Sequence, residues 1–566
     1  MKAACTLCMP LFLLQPAHLH GDDMTTRHTC ISLALLALLS SLPAQAAPQR
    51  DHSYYLTIIH TNDHHGRFWK NGDGEYGMAA RKSVIDQIRA DVRIHGGYSL
   101  LLDGGDVNTG VPESDLQDAE PDFMGMNLLG YDAMAVGNHE FDKPPAVLAR
   151  QRQWAKFPML SANIYRHGKR MFAPYQLFRL GDLRVAVLGL TTDDTKKMTN
   201  PENTRDIEFR PPAAEAARLM PQLRRRADII IGATHMGHYP DGKHGVSAPG
   251  DVEMARQVAG FNLIVGGHSQ NPVCMKAENV RDDAYVPGSD CAPDRQNAAW
   301  IVQAHEWGKY VGRADFEYRN GAFRLLKYQL IPVNLKKTVR MADGSEQKVP
   351  YSREIPEDRT ALALLQPYQD KGSAELSTAV GSSDGKLEGE RSVVRKQATN
   401  LGVLIATTMQ QRAHADLALM NAGGIRDSLP AGSISYRDIL KVLPFGNTLV
   451  YVDMSGSELL AYLQAAARMT PGSGAFAQFA GVRLRIADGK VTEAQIAGQA
   501  IDPARRYRLA LNSFTAVGGD GYPRLLGHSG YVNTGYVDAD LLRGYFASHG
   551  TLHSADFAPG DAVVRQ

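Results

Sequence analysis

The first half of the chain is punctuated by short apolar runs that break off into polar residues capable of chemistry. Tyr54-Tyr55-Leu56-Thr57-Ile58-Ile59 leads into His60-Thr61-Asn62-Asp63-His64-His65-Gly66, and Tyr98 to Leu102 leads into Asp103-Gly104-Gly105-Asp106. Ala133 to Val136 precedes Gly137-Asn138-His139-Glu140, Ile229-Ile230-Ile231 precedes Thr234-His235, and Leu263-Ile264-Val265 precedes Gly267-His268-Ser269-Gln270. Short apolar runs bounded by Gly and turn residues predict buried strands. Between them, Ala79 to Val92 and Pro212 to Arg226 carry apolar residues at helical spacing with charges on the other face. This alternation predicts an α/β domain with a central sheet whose strand ends carry the site. Near residues 349–369 the pattern changes. Pro350 and Pro356 bracket a charged patch, and Thr360 to Gln369 predicts a short helix that stops before Lys371-Gly372. The expected organisation is therefore a domain over 47–350, a linker helix over 351–372 and a smaller α/β domain over 373–566.

Composition narrows the picture. The chain has 566 residues with 61 Lys+Arg against 60 Asp+Glu, 44% hydrophobic and 21% charged, which excludes a disordered, collagen-like or multi-span membrane chain. With a net charge of +1 there is no basic field to hold a nucleic acid polymer. The first 46 residues stand apart. Met24, Arg27 and His28 lead into the largely apolar stretch Ile31 to Leu42, followed by Ala44-Gln45-Ala46. That order predicts an export signal cleaved after Ala46, leaving no stable membrane association. Residues 1–23 sit upstream of it as a non-native or alternative start, and translation from Met24 would suit the signal. Cleavage removes Cys5, Cys8 and Cys30, leaving Cys274 and Cys291 as an even pair in an exported protein. A disulfide is the natural reading, with metal binding or free buried thiols as the alternatives.

Of 19 histidines, twelve fall between His52 and His305. Asp63, His65, Asp106, Asn138, His235, His268 and Gln270 all lie at or just beyond the ends of strand-like runs, and this mixture of imidazole, carboxylate and amide oxygen suits divalent ions. The ordered motifs around them, from Ile59 to Gly66, Gly104-Gly105-Asp106, Gly137 to Asp142, Thr234 to His238 and Gly266 to Gln270, resemble those of calcineurin-like metallophosphoesterases. More narrowly they resemble the 5'-nucleotidase family. The stretch Gly110 to Phe123 with Gly130-Tyr131-Asp132-Ala133-Met134 is similar to its bacterial periplasmic UDP-sugar hydrolase/5'-nucleotidase branch.

That resemblance implies a four-layer αββα sandwich for the N-terminal domain and two divalent ions, zinc, manganese, cobalt or magnesium. One would be held by Asp63, His65, Asp106 and Gln270, the other by Asp106, Asn138, His235 and His268. It implies His139 and Asp142 as a catalytic pair, while His60, His64 and His238 are left as supporting residues. It further implies a periplasmic, monomeric hydrolase of nucleotides and nucleotide sugars whose two domains rotate about a hinge. In the second half, Arg426 sits in the glycine-rich run Asn421 to Asp427, where backbone can approach a ligand closely and a guanidinium can pair with phosphate oxygens. Phe445 and Phe514 are flanked by Gly and polar residues, which suits exposed loops. By resemblance these two rings sandwich a nucleobase. Asp520 contacts ribose, Asn447 and Gly423 lie near the base, and Arg391, Arg395 and Arg426 lie near the phosphates or the ribose end. Two other readings compete. A cyclic-phosphodiesterase/3'-nucleotidase shares the metal motifs, but the Glu113 to Phe123 stretch argues against it. A non-catalytic nucleotide-binding protein would not need the intact ligand set and His139.

Overall fold

The computed structural model describes residues 47–199, 201–239, 249–341 and 343–565, so the expected export segment lies outside the described residues. The runs predicted as strands form strands, at Tyr54–Thr61, Tyr98–Asp103, Ala133–Ala135, Ile229–His235 and Leu263–Val265, and the helical patterns form Met78–Ile94 and Pro212–Arg226.

They assemble into two six-stranded sheets rather than one. The first runs in the order Ala322–Pro332, Tyr310–Arg319, Tyr54–Thr61, Tyr98–Asp103, Ala133–Ala135 and Met159–Leu160, parallel from Tyr54–Thr61 onward. The second runs Asp294–Gln296, Ala299–Val302, Leu263–Val265, Ile229–His235, Leu183–Thr191 and Tyr175–Leu180, with its four central strands parallel. Side chains alternate across a strand, so each sheet buries two faces. Leu56, Ile58, Leu100, Leu102, Ala133 and Ala135 meet Val185, Val187, Ile229, Ile231, Leu263 and Val265 in a core between the sheets. On the outer face of the first sheet, Ile59, Leu101, Met134 and Val136 pack on Val84, Ile85 and Ile88 of Met78–Ile94 and on Phe123 and Met126 of Glu120–Leu129. On the outer face of the second, Leu188, Ile230 and Ile264 pack on Leu219, Met220 and Leu223 of Pro212–Arg226. The result is the αββα sandwich that the resemblance implied.

The second half is built on a five-stranded mixed sheet in the order Ala477–Ala480, Leu417–Asn421, Arg506–Asn512, Thr448–Ser455 and Tyr531–Val537. Ala418, Met420, Leu449 and Ala510 face helices Asn400–Ala413 and Asp538–His549, while Leu417, Leu419, Val450 and Leu509 face helix Gly456–Ala467.

Between the halves lies helix Arg359–Leu376, capped by the Asp358 carboxylate, which accepts from the Ala361 amide at 2.9 Å. It does not stop before Lys371-Gly372. It continues through Gly372 because that glycine is a contact point: a Cβ there would lie 2.9 Å from Glu113 Cα. The missing side chain lets the helix press against the short helix Pro112–Asp115, where Gln117 Nε2 also donates to Tyr368 O at 2.9 Å. Cys274 and Cys291 are joined by a disulfide.

Candidate active site

Parallel strands in one sheet end on the same side, and the two sheets present their carboxyl ends together. Gly104 and Gly267 let the loops of the two sheets touch: a Cβ on Gly104 would come within 2.5 Å of Gly266 O, and one on Gly267 within 2.6 Å of Gly104 O. Into this junction the strand ends deliver Asp63, His65, Asp106, Asn138, His235, His268 and Gln270. Five of these seven adopt left-handed backbone, with φ of 51° at Asp63, 51° at His65, 61° at Asp106, 81° at His268 and 55° at Gln270. Such conformations cost about 1–3 kcal/mol each outside glycine and gather at functional sites.

The side chains fall into two groups that share one carboxylate. Ligand-type atoms of His65, Asp106 and His139 lie within 4.8 Å of one another, as do those of Asp106, His235 and His268. Asp106 Oδ2 is 2.9 Å from His235 Nε2 and 3.9 Å from His65 Nε2, which is also 3.9 Å from Asp63 Oδ1. His235 Nε2 is 3.1 Å from Asn138 Oδ1 and 3.2 Å from His268 Nδ1, and the Gln270 amide reaches His65 Nε2 at 2.7 Å. The imidazoles are oriented from behind. His65 Nδ1 donates to Thr109 O at 2.8 Å and His235 Nδ1 to Gly104 O at 2.7 Å, which points each Nε2 inward. Inward-facing nitrogens beside carboxylate and amide oxygens fit divalent cations. Burial, with His235 opposing and Asp106 adding, pushes Asp63 up to about 7. Burial also disfavours charge on Asp106, but His235 and His139 outweigh it and hold that carboxyl well below the usual range.

His139 stands at the edge of this cluster in the short turn His139–Phe141, its Nδ1 donating to Asp142 Oδ2 at 2.5 Å; Thr109 Oγ1 donates to the same oxygen at 2.7 Å. Burial alone would lower the His139 pKa, but Asp142 and Asp106 outweigh it and raise it to about 9. Among the described residues, His60, His64 and His238 belong to neither ligand group. His64 Nε2 is 2.7 Å from Asp122, His238 Nε2 is 2.8 Å from Asp294, and His60 stacks on Tyr328 at 5.9 Å.

Glu140 stands in a sequence motif that assigns it no role, yet it organises the cluster. Its buried carboxylate accepts from the amides of Gly137 at 2.6 Å, Val107 at 2.8 Å, Asp106 at 3.1 Å and Asn108 at 3.4 Å. Gly137 must be glycine, since a Cβ there would collide with Asp106 Oδ1. Asn62 is a second overlooked support, donating to Asp63 Oδ2 at 2.6 Å and accepting from Ala304 N at 2.7 Å.

The second half closes one side of the site. A cleft of about 910 Å³ is lined by His65, His139 and Gln270 from the first half and by Arg426 and Phe445 from the second. The Phe445 ring stacks on His139 with centroids 6.2 Å apart, and Arg426 lies over Phe445 at 5.4 Å. Arg437 pairs with Glu113 at 3.2 Å beside the cleft. Arg391, Arg395 and Arg426 crowd together. Burial, then Arg391 and Arg426, lowers Arg395 to about 10. Asp520, in left-handed backbone at φ 55°, accepts from Asn421 Nδ2 at 2.9 Å, and a Cβ on Gly423 would lie 3.2 Å from its Oδ2. Phe514 packs on Gly519, where a Cβ would meet its ring at 2.5 Å. Asn447 is buried, its carbonyl accepting from Asp538 N at 2.8 Å. Of the eight positions expected to contact a nucleotide, Arg426 and Phe445 line this cleft, while Arg391, Arg395, Gly423, Asn447, Phe514 and Asp520 are not part of its lining.

An αββα sandwich whose strand ends converge in this donor set defines a metal-dependent phosphoesterase. Residues 56–272 match the calcineurin-like phosphoesterase family, which uses divalent metals, and residues 379–527 match the 5'-nucleotidase C-terminal domain. The chain is 56% identical over 543 residues to Protein UshA of Escherichia coli (strain K12), covering 95% of this chain and 99% of that one. It is 53% identical to a 5'-nucleotidase of Vibrio vulnificus, covering 95% and 98%. A solved 5'-nucleotidase precursor from Thermus thermophilus superposes with a TM-score of 0.69 at 29% identity, covering 90% of this chain and 99% of that chain. The chain belongs to the 5'-nucleotidase family.

Proposed function

We propose that the chain is an exported phosphohydrolase that removes phosphate from nucleoside 5'-monophosphates and splits UDP-sugars into UMP and sugar 1-phosphate. The observation that carries the reading is Asp106, one carboxylate shared by two ligand groups, whose neighbours His65 and His139 line a cleft completed by Arg426 and Phe445. Asp63, His65, Asp106 and Gln270 hold one divalent ion, and Asp106, Asn138, His235 and His268 the other, with zinc, manganese, cobalt and magnesium as candidates. When bound, such a pair supplies an acidified water and neutralises phosphoryl oxygens.

The rest is done by side chains. His139, held by Asp142, donates toward phosphoryl or leaving-group oxygen, and the Asp142 carboxylate keeps that proton on the imidazole. Arg391, Arg395 and Arg426 bind phosphate or the ribose end, Phe445 and Phe514 stack on the base and Asp520 contacts ribose, with Asn447 and Gly423 near the base. Stacking accepts any base face, which supports broad base tolerance. Residues 47–350 form the metal domain and 373–566 the nucleotide domain, and their relative rotation admits substrate and releases product. The names of the relatives, UshA and 5'-nucleotidase, support this substrate class over cyclic nucleotides. Export to the periplasm through the segment before Ala47 completes the reading.

The test is phosphate and sugar 1-phosphate release from AMP, UMP, UDP-glucose and a 2',3'-cyclic nucleotide, before and after chelation and with each metal returned. Loss on chelation and recovery for AMP, UMP and UDP-glucose are expected. Turnover confined to the cyclic substrate, or turnover unaffected by Asp106→Asn, refutes the assignment.

A further inference from the structure

The cleft also has a wall built by the first half alone, beside the catalytic cluster, and that wall has no assigned ligand. It carries Arg67 and Trp69, which follow directly on the strand end that delivers Asp63 and His65, together with Trp307. Arg67 is held in place. Its Cζ lies 3.9 Å from the centroid of the Trp307 ring and its Nη1 donates to His65 O at 2.6 Å. The carboxylates that influence Arg67 are Glu306 and Asp115, and Glu306 is already paired with Lys309 at 2.7 Å. Trp69 is partly buried beside Phe68 and lines the same cleft. A positioned guanidinium next to an aromatic face, with the metal ligands His65 and Gln270 at its flank, is equipped for a polar group that also presents apolar C–H surface.

The chemistry of nucleotide-sugar hydrolysis creates a need for such a place, and this step rests on the substrate class proposed above. A water-derived hydroxide oxygen adds to the sugar-bearing phosphorus while that phosphorus loses its bond to the bridging oxygen. The bridging oxygen keeps the electron pair and departs as a phosphate oxygen of UMP; both protons of water, one lost on forming the hydroxide and one from the new P–OH, pass to solvent. The sugar oxygen stays on phosphorus, giving sugar 1-phosphate. In such an in-line displacement the attacking and leaving oxygens are apical, so the sugar ester oxygen is equatorial. With the nucleoside leaving toward Arg426 and Phe445, the sugar lies off the line of displacement, and the cleft wall beside His65 and Gln270 that carries Arg67, Trp69 and Trp307 stands there to receive it.

We propose that Arg67 and Trp69, with Trp307 clamping the guanidinium, form a subsite for the sugar of a nucleoside diphosphate sugar, a group that a monophosphate lacks. The sugar contacts are the same before and during bond breaking, so they act on binding more than on turnover.

The test uses the full metal-loaded chain as wild type, Arg67→Met and Trp69→Ala. It reads kcat and KM for UMP and UDP-glucose, metal content, and inhibition of UMP hydrolysis by glucose 1-phosphate and by inorganic phosphate. Each substitution is expected to raise KM for UDP-glucose about tenfold relative to KM for UMP, with kcat for UDP-glucose changed less than about threefold. Glucose 1-phosphate should inhibit the wild type at lower concentration than inorganic phosphate, and lose that advantage in both variants. An unchanged KM ratio overturns the subsite. An equal loss on both substrates with reduced metal content also overturns it, leaving Arg67 as a support for His65. If the wild type hydrolyses UMP but releases no glucose 1-phosphate from UDP-glucose, the substrate class itself is wrong and the subsite falls with it.

Discussion

Replacing Glu140 by Gln removes a charge and exchanges one acceptor oxygen for an amide donor, with no change of shape. In the wild type one carboxylate oxygen accepts from Gly137 N and Asp106 N and the other from Val107 N and Asn108 N. Gln can serve one pair. The other two buried amides then face an NH₂ group, and leaving a buried donor unsatisfied costs about 1–3 kcal/mol, so the loss is roughly 2–6 kcal/mol. For a domain of roughly 300 residues, at about 2.1 cal/mol/K of unfolding entropy per residue, that corresponds to roughly 3–9 °C in unfolding temperature. Burial, with Asp106 next, pushes the Glu140 carboxyl up to about 7, so the comparison belongs at about pH 8, where the charge is present. Whichever pair loses its acceptor, Gly137 and Asp106 or Val107 and Asn108, it includes an amide that belongs to or adjoins Asp106 or Asn138, and loss of such supporting partners typically lowers metal affinity or activity about 10–100-fold. Thermal unfolding of metal-stripped protein isolates the stability effect, and metal titration followed by UMP hydrolysis measures the rest. A variant that melts within about 2 °C of wild type and binds metal equally well would show that the four amides do not depend on the carboxylate.

Asp142→Asn should lower kcat for UMP by about 10²–10³ with KM within about threefold, because it weakens the 2.5 Å support of His139 Nδ1 without touching the nucleotide contacts; an unchanged kcat removes His139 from the chemistry. Asp538 gives a pH test remote from the cluster. Burial raises its carboxyl to about 8, against about 3.9 in an unfolded chain, so the folded state holds the extra proton between those values. Its stabilising contribution is complete below about pH 4 and is lost as pH rises through about 8. Asp538→Asn should therefore gain unfolding temperature relative to wild type progressively as pH rises from about 4 to about 8, the range set by those two values, and parallel melting curves would contradict the raised pKa. Replacing both Cys274 and Cys291 by Ser should cost about 3 kcal/mol for a loop of 17 positions, read from urea unfolding, and no change in midpoint would mean the loop is ordered without the link.

What could be read from the sequence follows from what side-chain pattern encodes. The strands, the outer helices and the seven ligand-type residues were legible because apolar period and residue type at a strand end are local properties. The partition into two facing sheets was not local: Ile58 and Ile59 look alike in sequence, yet one faces the other sheet and the other faces a helix. Lys371-Gly372 reads as a helix stop because glycine is a poor helix former, but Gly372 is set by Glu113 on a helix roughly 250 positions away, a contact no sequence window reveals. Glu140 and Arg67 escaped for a related reason. A charged residue within or beside a motif is ordinarily a surface residue, and only the burial of its head group against backbone amides or an indole ring distinguishes the exceptions. The left-handed ligand positions make the same point about the backbone. Glycines in the motifs advertised tight turns, but Asp63, His65, Asp106, His268 and Gln270 take the unfavourable conformation themselves. His235 and Asn138 join the cluster from ordinary backbone, so within it the strain is confined to these five positions, and the fold sustains it where ligand-type atoms converge.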